Sequence, residues 1–125
     1  MQHGAATATV LMVEDEVLIS HLVADWLGEH GFAVHEVGNA DAALRYIDAG
    51  GAVDVLFTDI DLPGRMNGTE LAVKVRKRQP ELPVVYTSGR HSYLGCGRLV
   101  PRSVFVPKPY APDDVCALLA RLTAT

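Results

Sequence analysis

Cysteine is almost absent from this chain: Cys96 and Cys116 are the only two in 125 residues, far apart and outside any Cys-x-x-Cys pair. That scarcity speaks against a disulfide and fits idle or buried thiols in a reducing compartment. Long apolar runs are missing too. No stretch approaches the roughly 18 residues of a membrane span, and the opening MQHGAATAT lacks the charged-then-apolar layout of a secretory leader. A soluble, cytoplasmic protein with no membrane partner is expected, its residues 1–8 a frayed start. Nor is there a basic excess, because 11 lysines and arginines face 15 acids, for a formal net charge of −4. That balance argues against a nucleic-acid partner, whose phosphates need a basic face. The one basic run, Lys74 to Arg78, reads as a solvated helix end complementing the helix dipole. Repeats, linkers and low-complexity tracts are lacking. What is there, 49% hydrophobic and 21% charged residues, is an ordinary globular composition. One domain over 1–125 is expected, burying about two-thirds of its unfolded surface.

The apolar residues change period along the chain. Thr9–Val13 is a short apolar run of strand length. From Glu16 the spacing turns helical, with Leu18, Leu22 and Trp26 on one side and Ile19, Val23 and Leu27 beside them. Gly28 and Gly31 bracket the end of that helix. Phe32–Val37 reads as a second strand, and Asn39 suits the N-cap of a helix carrying Ala43, Leu44 and Ile47, stopped by Gly50-Gly51. Val53–Thr58 reads as strand three, and Gly68–Gln79 as a helix closed by Pro80. Pro83–Thr87 and Ser103–Val106 read as strands four and five, and Pro112–Leu122 as a last helix with Val115, Leu118 and Leu119 inward. Strands alternating with helices predict a parallel sheet covered on both faces: an α/β, five-stranded, doubly wound domain. One segment breaks the rhythm. Gly89–Arg102 should hold the fourth crossover helix, yet it carries three glycines, a proline and no sustained helical period. A short or irregular helix is expected there.

In open parallel sheets the crevice lies beyond the carboxyl ends of the strands, where strand order reverses. Strand one ends in Glu14-Asp15, strand three in Asp59 followed by Asp61, strand four in Thr87-Ser88-Gly89, and strand five just before Lys108. Crowded acids repel, so a carboxylate pKa must rise unless a cation joins them. Oxygen ligands with room for water favour Mg²⁺, which often bridges to a phosphate. Lys108 supplies a point charge for a phosphoryl oxygen, Ser88 or Thr87 a hydroxyl, and Asp59 a carboxylate nucleophile. Together they form a phosphoryl-transfer set.

The chain resembles, over nearly its whole length, the receiver domain of two-component response regulators. The matching pieces are VLMVEDE, FTDIDLPGRMNG, LPVVYTSG and FVPKPY, in the order and spacing of that family. The resemblance implies a flavodoxin-like sheet of order 2-1-3-4-5 with helices on both faces. It implies that Asp59 accepts a phosphoryl group from a sensor histidine kinase or a histidine phosphotransfer protein, becoming an aspartyl phosphate in a Mg²⁺-dependent step. Asp15 would be a direct metal ligand, Glu14 would act through water, and Asp59 and the backbone carbonyl of Asp61 would complete the protein ligands. Ser88, five residues after Pro83 and before a small residue, matches the switch hydroxyl, with Thr87 as the alternative. Lys108 matches the family lysine, Lys108-Pro109 is expected to be cis, and Phe105 takes the aromatic switch position. Such domains signal by conformational change rather than by turning over a substrate. The downstream partner is not readable from the chain, and a homodimer is left open.

Plainer readings exist for each residue. Asp59 could cap a turn, Glu14-Asp15 could favour the next helix's dipole, and Phe105 could be simple core. Asp61 suits a turn, yet it stands where water must approach the phosphoryl group, so it is expected to tune hydrolysis. The histidines His3, His21, His30, His35 and His91 show no ligand spacing. Two rival functions are a phosphatase of the haloacid dehalogenase type, suggested by Asp59-Ile60-Asp61, and a receiver-like binding module that is never phosphorylated. Pro63 speaks against the first, since that motif wants a small hydroxyl residue or valine there. The complete set of site residues speaks against the second. Because Met1 opens the chain, a stand-alone domain is preferred over one excised from a larger regulator or hybrid kinase.

Overall fold

The computed structural model describes residues 7–89 and 99–124. Among them lie β1 (Thr9–Val13), α1 (Val17–Glu29), β2 (Ala33–Val37), α2 (Ala40–Asp48), β3 (Val55–Asp59), α3 (Gly68–Arg78), β4 (Val84–Ser88), β5 (Ser103–Pro107) and α4 (Pro112–Thr123). All strand pairs are parallel, and the order is β2-β1-β3-β4-β5, the order that the family resemblance implied. The chain leaves β1 for β2 on one side and returns past β1 to β3 on the other. The crevice therefore opens at the carboxyl ends of β1 and β3. The irregular helix expected within Gly89–Arg102 falls largely outside the described residues, as does Cys96.

Successive strand residues point to opposite faces, and that alternation divides the core in two. Leu11, Val13, Leu56 and Tyr86 pack on one face against Ala43 and Ile47 of α2 and Leu71, Ala72 and Val75 of α3. Val10, Met12, Phe57 and Val85 pack on the other against Val23 and Leu27 of α1 and Val115, Cys116 and Leu119 of α4. β3 and β4 are buried throughout, as central strands covered on both sides must be. β2 is an edge strand, only half-buried, which is why it tolerates His35 and Glu36.

Local chemistry sets the element ends. Asn39 caps α2 as expected, its side chain accepting from the Ala42 amide at 2.8 Å. α3 starts on a capping box that the sequence reading passed over: the Asn67 side chain accepts from the Glu70 amide at 2.9 Å, and Glu70 accepts from the Asn67 amide at 3.0 Å. β3 begins two residues later than expected because Asp54 serves β1 instead. Its amide donates to the Thr9 carbonyl and its carboxylate accepts from the Thr9 amide.

α1 departs from expectation more clearly. Its inward face is Ser20, Val23 and Leu27, whereas Leu18 and Leu22 remain 82% and 69% exposed. Val23 and Leu27 pack into the core, and Ser20 on the same face donates its hydroxyl to Glu36 of β2 at 2.7 Å, the same carboxylate oxygen lying 2.8 Å from His21 Nδ1. In α4, Cys116 is buried beside Val115 and Leu119, while Leu118 is only partly covered. Burial pushes the Cys116 thiol pKa up, so this cysteine is an inert apolar filler.

Candidate functional site

Each acid at the crevice is positioned by the end of a strand. Glu14 extends β1, its amide donating to the Val37 carbonyl at 3.0 Å, so its side chain turns inward while the next residue, Asp15, faces solvent. Asp59 is the last residue of β3 and pairs in register with Thr87 of β4. Lys108 follows β5, held by its amide donating to the Ser88 carbonyl at 3.0 Å. The Lys108-Pro109 peptide is cis.

The start of α3 presses against the same place. The Gly68 amide donates to the Ile60 carbonyl at 2.9 Å, and a Cβ on Gly68 would lie 2.1 Å from the Asp59 carbonyl oxygen. Only glycine permits that approach.

Three carboxylates converge. Glu14, Asp15 and Asp59 each offer an oxygen, all within 4.8 Å of one another, with Glu14 and Asp59 buried and Asp15 exposed. Lys108 Nζ donates to Asp59 Oδ2 at 2.8 Å and to Glu14 Oε1 at 3.0 Å, although these residues are 49 and 94 positions away in the chain. Burial works to strip the ammonium of its proton, but the hydrogen bonds to Asp59 and Glu14 outweigh it, so Lys108 holds its proton more tightly than an ordinary lysine. One fixed cation thus serves two buried anions, and Asp15 brings a third negative charge to the mouth. An all-oxygen donor set with surplus negative charge and an open side suits a hard divalent ion that keeps waters, such as Mg²⁺.

The loop after β3 completes the mouth. The Asp61 amide donates to Asp59 Oδ1 at 2.9 Å, while the Asp61 carboxylate accepts from the Ser88 hydroxyl at 2.8 Å. Ser88 is fully buried. Thr87, the neighbouring hydroxyl, is also buried, and its Oγ1 finds no hydrogen-bond partner among the described residues. Phe105, half-buried on β5, packs against the cluster that contains Tyr86. The Tyr86 hydroxyl accepts from the Val100 amide at 3.1 Å. His21, His30 and His35 lie away from the acids, where His35 stacks on Tyr46 and His30 Nδ1 lies 2.9 Å from the Trp26 carbonyl oxygen. His3 and His91 fall outside the described residues.

The sequence profile of the response regulator receiver domain matches residues 10–120, and the chain belongs to that family. It is 34% identical over 119 residues to the nitrogen assimilation regulatory protein NtrX of Azorhizobium caulinodans, covering 93% of this chain and 26% of that protein. It is 32% identical over 111 residues to the sensor kinase CckA of Brucella abortus, covering 86% of this chain and 12% of the kinase. A crystal structure of a response regulator receiver protein from Sinorhizobium medicae matches with a TM-score of 0.85 and 27% identity, over 94% of each chain. The chain thus spans 26% of the length of the NtrX relative. Receiver domains are signalling modules of two-component systems, and the match supports a phosphoacceptor role over the phosphatase and pseudo-receiver alternatives. Among the described residues, no helix is long and apolar enough to cross a membrane.

Proposed function

We propose that Asp59 is the phosphoacceptor, taking the group from the phosphohistidine of a sensor kinase or histidine phosphotransfer protein. The carrying observation is the shared hydrogen bonding of Lys108 to Asp59 and Glu14 beside Asp15, which gathers acceptor, cation and metal-binding acids at one mouth. In the transfer the P–N bond breaks, its electron pair goes to the imidazole nitrogen, and an Asp59 oxygen forms the new P–O bond. Such transfers depend on positioning and charge neutralisation rather than on covalent chemistry by the protein. Asp59 is pre-positioned by the Asp61 amide and by Lys108. The ammonium is placed to follow the developing negative charge from the carboxylate to the phosphoryl oxygens. Asp15, Asp59 and the Asp61 carbonyl would hold Mg²⁺ directly and Glu14 through water. When bound, the ion would offset charge on the transferring oxygens.

The aspartyl phosphate brings about −1.5 to −2 charges to the mouth, by analogy with other phosphorylated side chains. Ser88 is then drawn toward the phosphoryl oxygens, and Phe105 responds to the space it leaves. That local event biases a two-state surface read by a downstream protein.

The donor must bring its histidine to Asp59, so its docking surface must adjoin the mouth. The exposed apolar residues Leu18 and Leu22, with Trp26, Pro109 and Tyr110, line a groove of about 630 Å³ that reaches Lys108. We assign that groove to the phosphoryl donor. The whole reading is tested by incubation with acetyl phosphate and Mg²⁺ followed by intact mass. One added phosphoryl group is expected on the wild type and none on Asp59→Asn. An unlabelled wild type, or label retained by Asp59→Asn, would reject it.

A further inference from the structure

Asp61 and Ser88 meet at the crevice across 27 residues of chain. We propose that Asp61 competes for the Ser88 hydroxyl, holding it in the resting position and opposing its transfer to a phosphoryl group on Asp59. This rests on the reading of Asp59 as the acceptor.

The argument starts from a single proton. A serine hydroxyl has one hydrogen to donate. In the resting domain that hydrogen goes to Asp61 Oδ2, at 2.8 Å. A bond to an ionised acceptor is among the stronger hydrogen bonds, and Ser88 is fully buried, where such a bond is worth more than in water. The same hydroxyl cannot donate to a phosphoryl oxygen without leaving Asp61. The Ser88 backbone is not free to follow a new partner, because its carbonyl accepts from the Lys108 amide at 3.0 Å. Only a side-chain rotation can make the exchange.

Asp61 is tethered on its other side. Its amide donates to Asp59 Oδ1 at 2.9 Å, so its carboxylate hangs from backbone that is hydrogen-bonded to the acceptor itself. Charge arriving on Asp59 therefore arrives next to Asp61. The new anion offers the Ser88 proton a competing acceptor. The resting contact sets a threshold, because part of the interaction gained by the phosphoryl group is spent displacing Asp61. Asp61 is thus a positioning residue that acts through Ser88.

The test is a double-mutant cycle read by titration with beryllofluoride in Mg²⁺, following the thermal shift and the fluorescence of Trp26, the single tryptophan. Asp61→Ala should bind the phosphoryl mimic about tenfold more tightly than the wild type, equivalent to about 1.4 kcal/mol. Asp61→Asn keeps an oxygen able to accept from Ser88 and should show a smaller gain. In a Ser88→Ala background, Asp61→Ala should change affinity by less than about twofold. An equal gain with and without Ser88 would mean that Asp61 acts by charge alone and would overturn the proposal, as would weaker binding by Asp61→Ala. A wild type that ignores beryllofluoride would instead overturn the acceptor reading and take this inference with it.

Discussion

Replacing Lys108 with methionine measures how much of the fold leans on one ammonium. Methionine keeps the length and the apolar stem and removes the charge. The side chains of Glu14 and Asp59 are only 6% and 8% exposed, so neither recovers much hydration when the lysine is gone. Removing one partner of a buried ion pair costs about 3–5 kcal/mol, and the open side at Asp15 argues for about 3 kcal/mol here. A domain of this length is stable by roughly 6–19 kcal/mol, so the variant should still fold. Its unfolding entropy is about 260 cal/mol/K, which turns that loss into a fall of about 11 °C in Tm. Calorimetry or urea unfolding reads it directly. The second half of the test uses Mg²⁺. With the protein's own cation removed, the acids should gain more from the ion, so Mg²⁺ should raise Tm further in Lys108→Met than in the wild type. The pH dependence follows from the raised Lys108 pKa: its stabilisation is full below the ordinary lysine value of 10.5 and is lost only as pH climbs through the higher folded value. The gap between wild type and variant should therefore close only in strong alkali. A loss under about 1 kcal/mol, or a Mg²⁺ shift no larger than in the wild type, would refute the claim that Lys108 is the counter-ion of both acids.

Gly68→Ala should cost about 1–3 kcal/mol and slow labelling by acetyl phosphate, because the added methyl meets the backbone of Asp59 and Ile60 and not a flexible side chain. Unchanged stability together with unchanged labelling would show that the approach of α3 to the acceptor is looser than described. Leu18→Ser and Leu22→Ser should alter stability by less than about 0.5 kcal/mol, since both side chains are largely in water. Both should slow transfer from a phosphorylated kinase or phosphotransfer protein while leaving labelling by acetyl phosphate intact. A drop in the small-molecule reaction would place these residues in the chemistry instead of in docking.

What the sequence could convey depended on whether chemistry and periodicity fell at the same place. At the strand ends they did. An apolar run that stops on an acid, a hydroxyl or a lysine marks both a strand and a mouth, so Glu14, Asp15, Asp59, Ser88 and Lys108 could be placed at one crevice before their contacts were seen. α1 carried no such mark. Val17, Leu18, Ile19, Leu22, Val23, Trp26 and Leu27 spread around the helix, so spacing alone could not choose the inward side. The inward face also carries Ser20, which meets Glu36 across 16 residues, a contact that no local pattern encodes. The α3 cap was different, since Asn67-Gly-Thr-Glu70 already has the spacing of a capping box.

Strand geometry gives the two adjacent hydroxyls different surroundings. Neighbouring residues on a strand face opposite sides of the sheet, so Thr87 and Ser88 cannot present their hydroxyls to the same partner. Thr87 pairs in register with Asp59, yet the carboxylate oxygens of Asp59 accept from the Asp61 amide and from Lys108. Its hydroxyl is left buried without a partner among the described residues, which is a cost wherever no acceptor is within reach. Ser88, one residue further out, reaches Asp61 over the edge of the sheet. Thr87 is flanked in register by Asp59 of β3 and Val106 of β5, whereas Ser88 pairs with Pro107 of β5 and on its other side meets the loop that carries Asp61.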